Sequence, residues 1–163
     1  MTDLLVAESG IRQLHGRYID AVWRRDASAF VDCFIEDGEW KIAGRHIRGR
    51  EALGGHFEKF MAASERVLMT IGLPVLEVGQ GTATGRVHVS ELVKLKDGGA
   101  VRTIAIYYER FVEQPDRWRF QWRHFNLYHY GPPDLSAPYY PCLEYGSPPG
   151  MPGLDDPTTV RKR

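Results

Sequence analysis

IRQLHGRYIDAVWRRDASAFVDCFIEDGEWKIAGRHIRGRE, residues 11–51, is the run whose reading decides the fold. Its apolar positions Ile11, Leu14, Tyr18 and Val22 recur every three or four residues, the stripe of an amphipathic helix. Arg12, Gln13, Arg17, Arg24 and Arg25 fall mostly on the other side. Asp26 is placed to cap a second helix over residues 27–34, because a short carboxylate can accept from the unpaired N–H groups of a first turn. The Asp37-Gly38 pair is expected to break that helix. Residues 39–43 alternate polar and apolar with Trp40 and Ile42 on one face, which predicts a half-buried strand. Residues 44–49 read as a basic turn, and residues 50–63 carry Leu53, Phe57, Phe60 and Met61 at helical spacing.

Beyond Ser64 the pattern turns to strands. Residues 67–78 are mostly apolar, with Gly72 and Pro74 marking a bulge or an edge. Residues 82–96 alternate, Val87, Val89, Glu91 and Val93 against Arg86, His88, Ser90 and Leu92, and Asp97-Gly98-Gly99 closes a hairpin. Residues 101–112 and 118–130 are two further long strands. Three helices followed by an antiparallel meander predict an α+β domain over residues 1–130, a curled sheet wrapped on the long helix. Residues 131–163 carry Pro132, Pro133, Pro138, Pro141, Pro148, Pro149, Pro152 and Pro157, which forbid regular helix or central strand. Leu135, Tyr139, Tyr140, Leu143 and Tyr145 are too apolar for a free linker. This extension is therefore expected to pack over the body or over a neighbouring subunit, with residues 158–163 mobile.

The totals narrow the function classes. Lys and Arg number 21 and Asp and Glu 21, so no net charge points to nucleic acid or an anionic membrane. No apolar run approaches the roughly 20 residues of a spanning helix. The N-terminus has neither a basic start nor a long apolar stretch, and the expectation is a cytoplasmic protein. Cys33 lies in a helical pattern far from Cys142 and reads as a buried thiol, with a disulfide as the alternative.

RYIDAVWRRDASAFVDCF, then DGEW with GREAL, TATGR, and ERF with WRF resemble, in this order and spacing, the nuclear transport factor two-like superfamily in its SnoaL-like (polyketide cyclase) branch. The resemblance implies a cone: a bent antiparallel sheet around a long helix, enclosing a mostly apolar cavity. Similar proteins include steroid delta-isomerase, scytalone dehydratase, hexachlorocyclohexane dehydrochlorinase and bile acid dehydratase, and also members without known activity, so fold alone does not assign function. By this resemblance Tyr18 takes the place of the isomerase's oxyanion tyrosine and Tyr107 that of its second donor, a protonated aspartic acid. The isomerase's general base falls on Ile42. The aspartate and histidine of the dehydratase and dehydrochlorinase fall on Trp23 and Met69, and a second dehydratase histidine on Val93.

With those positions apolar, a proton-moving group has to come from the sheet. The alternation that turns Tyr107 inward also turns Glu109 and Glu91 inward, and Gln121, Arg123 and Phe125 are expected to share the inner face of the last strand. Arg123 is then a fixed cation for a carboxylate, phenolate or leaving oxygen, and Glu91 a base whose pKa burial raises. Alternatively, Glu91 and Arg123 simply pair. Trp23, Trp40, Ile42, Met69, Val89, Gln121 and Phe125 are the expected substrate-binding wall. His15, His46 and His56 read as surface groups, His88 as outward, and His124 and His129 as lying on opposite faces of one strand. No metal-ligand spacing is present and no cofactor is expected. Trp118, Phe120 and Trp122 are placed on the outer face, which predicts a homodimer or cover by the extension. The reading is a cofactor-independent lyase or isomerase for a small hydrophobic, aromatic or polycyclic molecule, with Tyr18, Tyr107, Glu91 and Arg123 as the reacting set. The alternatives are a non-catalytic binder of hydrophobic ligands and an accessory protein resembling the β-subunit of a ring oxygenase.

Overall fold

Helix α1 (Leu4–Arg24) begins earlier than its apolar stripe, because the Asp3 side chain accepts from Leu5 N–H at 2.8 Å and so caps it. The structure, a computed structural model, describes residues 3–161 except 142, 144 and 147–149. The first turn presents Leu4, Leu5 and Val6 to solvent, so periodicity alone did not reveal it. Ala7, Ile11, Leu14, Tyr18, Ala21 and Val22 form the buried stripe. Arg25 ends the helix in the left-handed region, at φ 59°. Its guanidinium then reaches the carbonyls of Met61, Ser64 and Glu65, satisfying the end of a later helix.

Asp26 does cap α2 (Ala27–Asp32), accepting from Ala29 N–H at 2.9 Å, but the helix stops two residues short of the expected 34. Strand β1 (Phe34–Ile42) runs straight through Asp37-Gly38, which is therefore no breaker. Gly38 lies where a Cβ would come within 2.9 Å of Phe34 Cβ, so close packing explains that glycine. The expected basic turn is strand β2 (Arg45–Arg48), paired antiparallel with β1, and α3 (Arg50–Ala63) has the bounds its spacing predicts. Residues 67–78 divide into β3 (Ser64–Ile71) and β4 (Val75–Val78) around Gly72 and Pro74. The long strands are β5 (Thr82–Leu95), β6 (Ala100–Glu113) and β7 (Trp118–Gly131).

These strands form one seven-stranded sheet in the order β2-β1-β7-β6-β5-β3, with β4 also on β5. Neighbours are antiparallel except that β1 joins β7 in parallel, so the α+β sheet is mixed. Its inner face and the buried stripe of α1 share one core with Phe30, Leu53, Phe57 and Met61 from α2 and α3.

Two bulges in β7 decide which side chains face that core. Phe111 pairs with Phe120 and Arg110 with Trp122, so Gln121 is skipped; Ala105 pairs with Leu127 and Ile104 with His129, so Tyr128 is skipped. Each skip reverses the alternation. Trp118 and Phe120 therefore belong to the core rather than to the outer face, and Gln121, not they, is exposed. The outer face holds Tyr108, Trp122, His124, Asn126 and His129, so His124 and His129 share a face, contrary to the simple alternation. The extension covers part of it: Tyr145 packs on Tyr108 and His124, Tyr139 on His129, and the Leu143 carbonyl accepts from Asn126 Nδ2 at 3.0 Å. The aromatic face that suggested a homodimer is thus inside or covered within one chain.

The end of the extension is placed rather than loose. Lys41 Nζ donates to the carbonyls of Leu154 and Asp156 at 2.8 and 2.6 Å, and Gly44 N–H to Thr158 Oγ1 at 2.7 Å. Residues 158–161 are therefore anchored where mobility was expected, while Lys162 and Arg163 lie outside the described residues. Cys33 is a buried free thiol whose pKa burial raises to about 11; Cys142 also lies outside the described residues.

Candidate active site

The cone interior keeps a void of about 60 Å³. Its walls come from every layer: Tyr18 and Val22 of α1, Phe30 of α2, Trp40 and Ile42 of β1, and His56, Phe57, Phe60 and Met61 of α3. Met69, Glu91, Thr103, Tyr107 and Phe125 close it from the sheet, and Arg161 from the extension. Of the residues expected here, Tyr18, Tyr107, Glu91, Trp40, Ile42, Met69 and Phe125 meet at this void.

Four others do not line it. Trp23 is 51% exposed and donates from Nε1 to the Met69 carbonyl at 2.8 Å; it sits one helical step beyond the inward stripe, where Val22 takes the wall. Val89 faces inward but packs in the core away from the void. Gln121 is turned outward by its bulge, beside Glu77 and Val78. Arg123 is wholly buried behind the wall. Its Nε and Nη2 donate to Glu109 Oε1 at 2.9 and 2.7 Å, and His15 Nε2 meets Glu109 Oε2 at 2.7 Å. The alternative of a Glu91–Arg123 pair is therefore not met: Arg123 pairs with Glu109, directly cross-strand, and His15 is an interior group instead of a surface one. The guanidinium stands 3.7 Å from the Tyr107 ring centre and 4.2 Å from those of Tyr18 and Phe120. Burial works against both charges, yet attraction keeps Glu109 below its ordinary pKa and Arg123 above its own.

The charges at the void behave differently. The Glu91 carboxyl, between Met69 on β3 and Thr103 on β6, makes no ion pair or hydrogen bond among the described residues. Burial raises its pKa to about 7, against a smaller lowering by Arg161. Burial also raises Tyr18 and, further, Tyr107; the Arg123 charge lowers both, and the Glu91 charge reaches both phenols. His56, expected on the surface, instead packs edge-on against Trp40 at 5.5 Å. Burial lowers its pKa, as do Arg45, Lys59 and Arg161, so it stands as a neutral imidazole near pH 7. The signal for it was present: position 56 is three after Leu53 and four before Phe60, within the same helical stripe.

The arrangement can hold an oxygen between two phenols, backed by a buried cation, and can exchange a proton through Glu91 or His56. Among the described residues no three His, Cys, Asp or Glu side chains gather to hold a metal ion, and no helix is long and apolar enough to cross a membrane.

Solved structures share this architecture. The Mycobacterium tuberculosis protein Rv3472, of unknown function, is 25% identical at a TM-score of 0.70, covering 76% of this chain and 72% of its own. A candidate scytalone dehydratase from Novosphingobium aromaticivorans is 17% identical at 0.74, covering 78% and 87%. The hexachlorocyclohexane dehydrochlorinase LinA-type3 from Novosphingobium barchaimii is 17% identical at 0.72, covering 83% and 94%. The latter two likenesses are of fold. No curated protein matches the chain. The SnoaL-like domain profile matches residues 4–124, and with its helices, mixed sheet and enclosed interior the chain belongs to the SnoaL-like domain family of the nuclear transport factor two-like superfamily.

Proposed function

We propose that this chain is a cofactor-independent lyase or isomerase that moves a proton on a small, largely apolar carbonyl substrate held in the cone. The observation that carries this reading is Glu91: an unpaired carboxyl, its pKa near 7, facing the same void as Tyr18 and Tyr107. Ionised Glu91 takes a proton from the carbon next to the carbonyl. The C–H electron pair forms the C=C bond of an enolate, and the negative charge settles on oxygen between the two phenols. Glu91 then returns the proton to another carbon, an isomerisation, or the enolate expels a leaving group from its β-carbon, an elimination. Arg123 acts from behind: it lowers the phenols' pKa and so strengthens them as donors, without reaching substrate.

The void is smaller than the roughly 300–1,000 Å³ of ordinary ligand pockets. Catalysis therefore requires the cone to open. The test is proton exchange of 2-tetralone in D₂O, followed by the loss of its α-proton NMR signals. The chain should accelerate exchange, Glu91→Gln should abolish that acceleration, and Tyr18→Phe should lower it about 10²–10³-fold. Equal rates with the Glu91→Gln variant would remove the assignment. A non-catalytic ligand binder is the second reading, favoured by the apolar Ile42, Met69 and Phe125 walls; it predicts binding with no exchange.

A further inference from the structure

Among the described residues, Arg161 is the one lining residue that does not come from the body of the cone. The backbone that delivers it is fixed on β1 and the turn after it by Lys41, which holds the Leu154 and Asp156 carbonyls, and by the Gly44–Thr158 bond. Val160 then packs where a Gly44 Cβ would stand, 2.7 Å from Val160 Cγ2, so only glycine allows the approach. The guanidinium lies over the Tyr130 ring at 4.3 Å. Tyr130, Thr103, Glu91 and Met69 are successive partners across β7, β6, β5 and β3, so Arg161 caps one end of the row that carries the unpaired carboxyl.

Two observations say this cation is unspent. Its Nε is buried and has no hydrogen-bond partner. Among the described residues it forms no ion pair, unlike Arg119 and Arg123, which each hold a carboxylate. It lines the same void as Glu91 and His56. A guanidinium stacked on an aromatic ring keeps its edge donors free, and their fork matches a carboxylate.

We propose that Arg161 is a specificity-determining residue of the cavity: it binds the carboxylate of a ligand whose remaining body is aromatic or alicyclic, so that this chain favours a monoanionic organic acid over a neutral molecule of the same body. A single cation facing Glu91 suits one negative charge and disfavours a dianion such as a phosphate monoester. Burying the ligand's apolar body against Trp40, Phe57 and Phe125 supplies affinity, while the carboxylate satisfies the orphaned donor and fixes which end points to the mouth. That such acids are substrates rests on the lyase or isomerase reading; that they bind does not.

The test compares 2-naphthoate with neutral 2-naphthamide, and benzoate with benzamide so that the size of the aryl body does not decide the result. Dissociation constants are measured by calorimetry on the full chain. Wild type should favour each carboxylate over its amide about 10-fold or more. Arg161→Gln should remove that preference while moving amide affinity less than about 3-fold, and Arg161→Lys should keep part of it, since a point charge lacks the fork. An undiminished preference in Arg161→Gln overturns the proposal, as does a wild-type chain that binds neither member of either pair or binds both equally. The readout needs no turnover. A chain that shows the preference but exchanges no proton of 2-tetralone fails as an enzyme and keeps Arg161 as its anion reader; the reverse outcome removes the anion reader alone.

Discussion

Arg123 and His15 hold Glu109 at 2.7–2.9 Å deep in the cone, whereas Glu91, His56 and Arg161, on the walls of the same interior, touch no opposite charge among the described residues. Both groups contain a carboxyl, an imidazole and a guanidinium. The first is built on direct cross-strand pairing of Glu109 with Arg123 and on one helix residue that reaches them. The second gathers side chains from β5, α3 and the extension around empty space. A buried charge with its partners in place is structure; a buried charge facing a void keeps its interaction for whatever enters.

The largest expected effect comes from breaking the closed group. Glu109→Ala leaves Arg123 buried without its counter-charge and should cost roughly 3–5 kcal/mol of stability. Urea unfolding measures it as a lower midpoint at unchanged slope. Glu109→Gln, which keeps shape and one acceptor, should cost less and holds the comparison if the alanine variant fails to fold. A change below about 1 kcal/mol in both variants would mean that the closed group is not structural and would remove the contrast.

Glu91→Gln should act in the opposite direction. The folded pKa of Glu91 is raised from 4.5 to about 7, so the fold favours its protonated form. Its contribution is fully present below pH 4.5 and is lost as pH rises through 7, because the unfolded chain ionises first. The amide does not ionise, so Glu91→Gln should match wild type in acid and exceed it at pH 8 by on the order of 3 kcal/mol. Unfolding midpoints for both proteins from pH 4 to 8 give the test. Parallel curves would mean that Glu91 already has a partner in solution.

The two groups were unequally legible in the sequence. Helical spacing identified the inner stripes of α1 and α3, and alternation placed Glu91, Tyr107 and Glu109 on one side. Alternation failed on β7, because the skips at Gln121 and Tyr128 carry no glycine or proline to mark them. Face assignments past a skip invert, which is why Trp118 and Phe120 were expected outside and Gln121 inside. His15 lay one residue beyond Leu14, at the edge of the stripe, and only the distant carboxylate of Glu109 explains its burial. Arg161 had no local signal at all. Its position follows from Lys41, Gly44 and Thr158, contacts more than a hundred residues apart that periodicity cannot register.

The smallest expected effect sharpens the contrast between the two imidazoles. His15 faces a carboxylate at 2.7 Å, whereas His56 sits among Arg45, Lys59 and Arg161, and burial together with those cations lowers its pKa below 6.5. The fold thus favours neutral His56. That contribution is present above pH 6.5 and is lost as pH falls below it, because the unfolded chain takes up the proton first. His56→Gln cannot take up that proton, so near pH 7 it should change stability by less than about 1 kcal/mol, and its advantage over wild type should appear only in acid. His15→Gln removes a partner of Glu109 and should instead cost stability at pH 7 itself. Denaturation of the two variants at pH 7 and pH 5 separates the cases. Equal losses at pH 7 would show that His56 has a partner after all and would move it from the open group to the closed one.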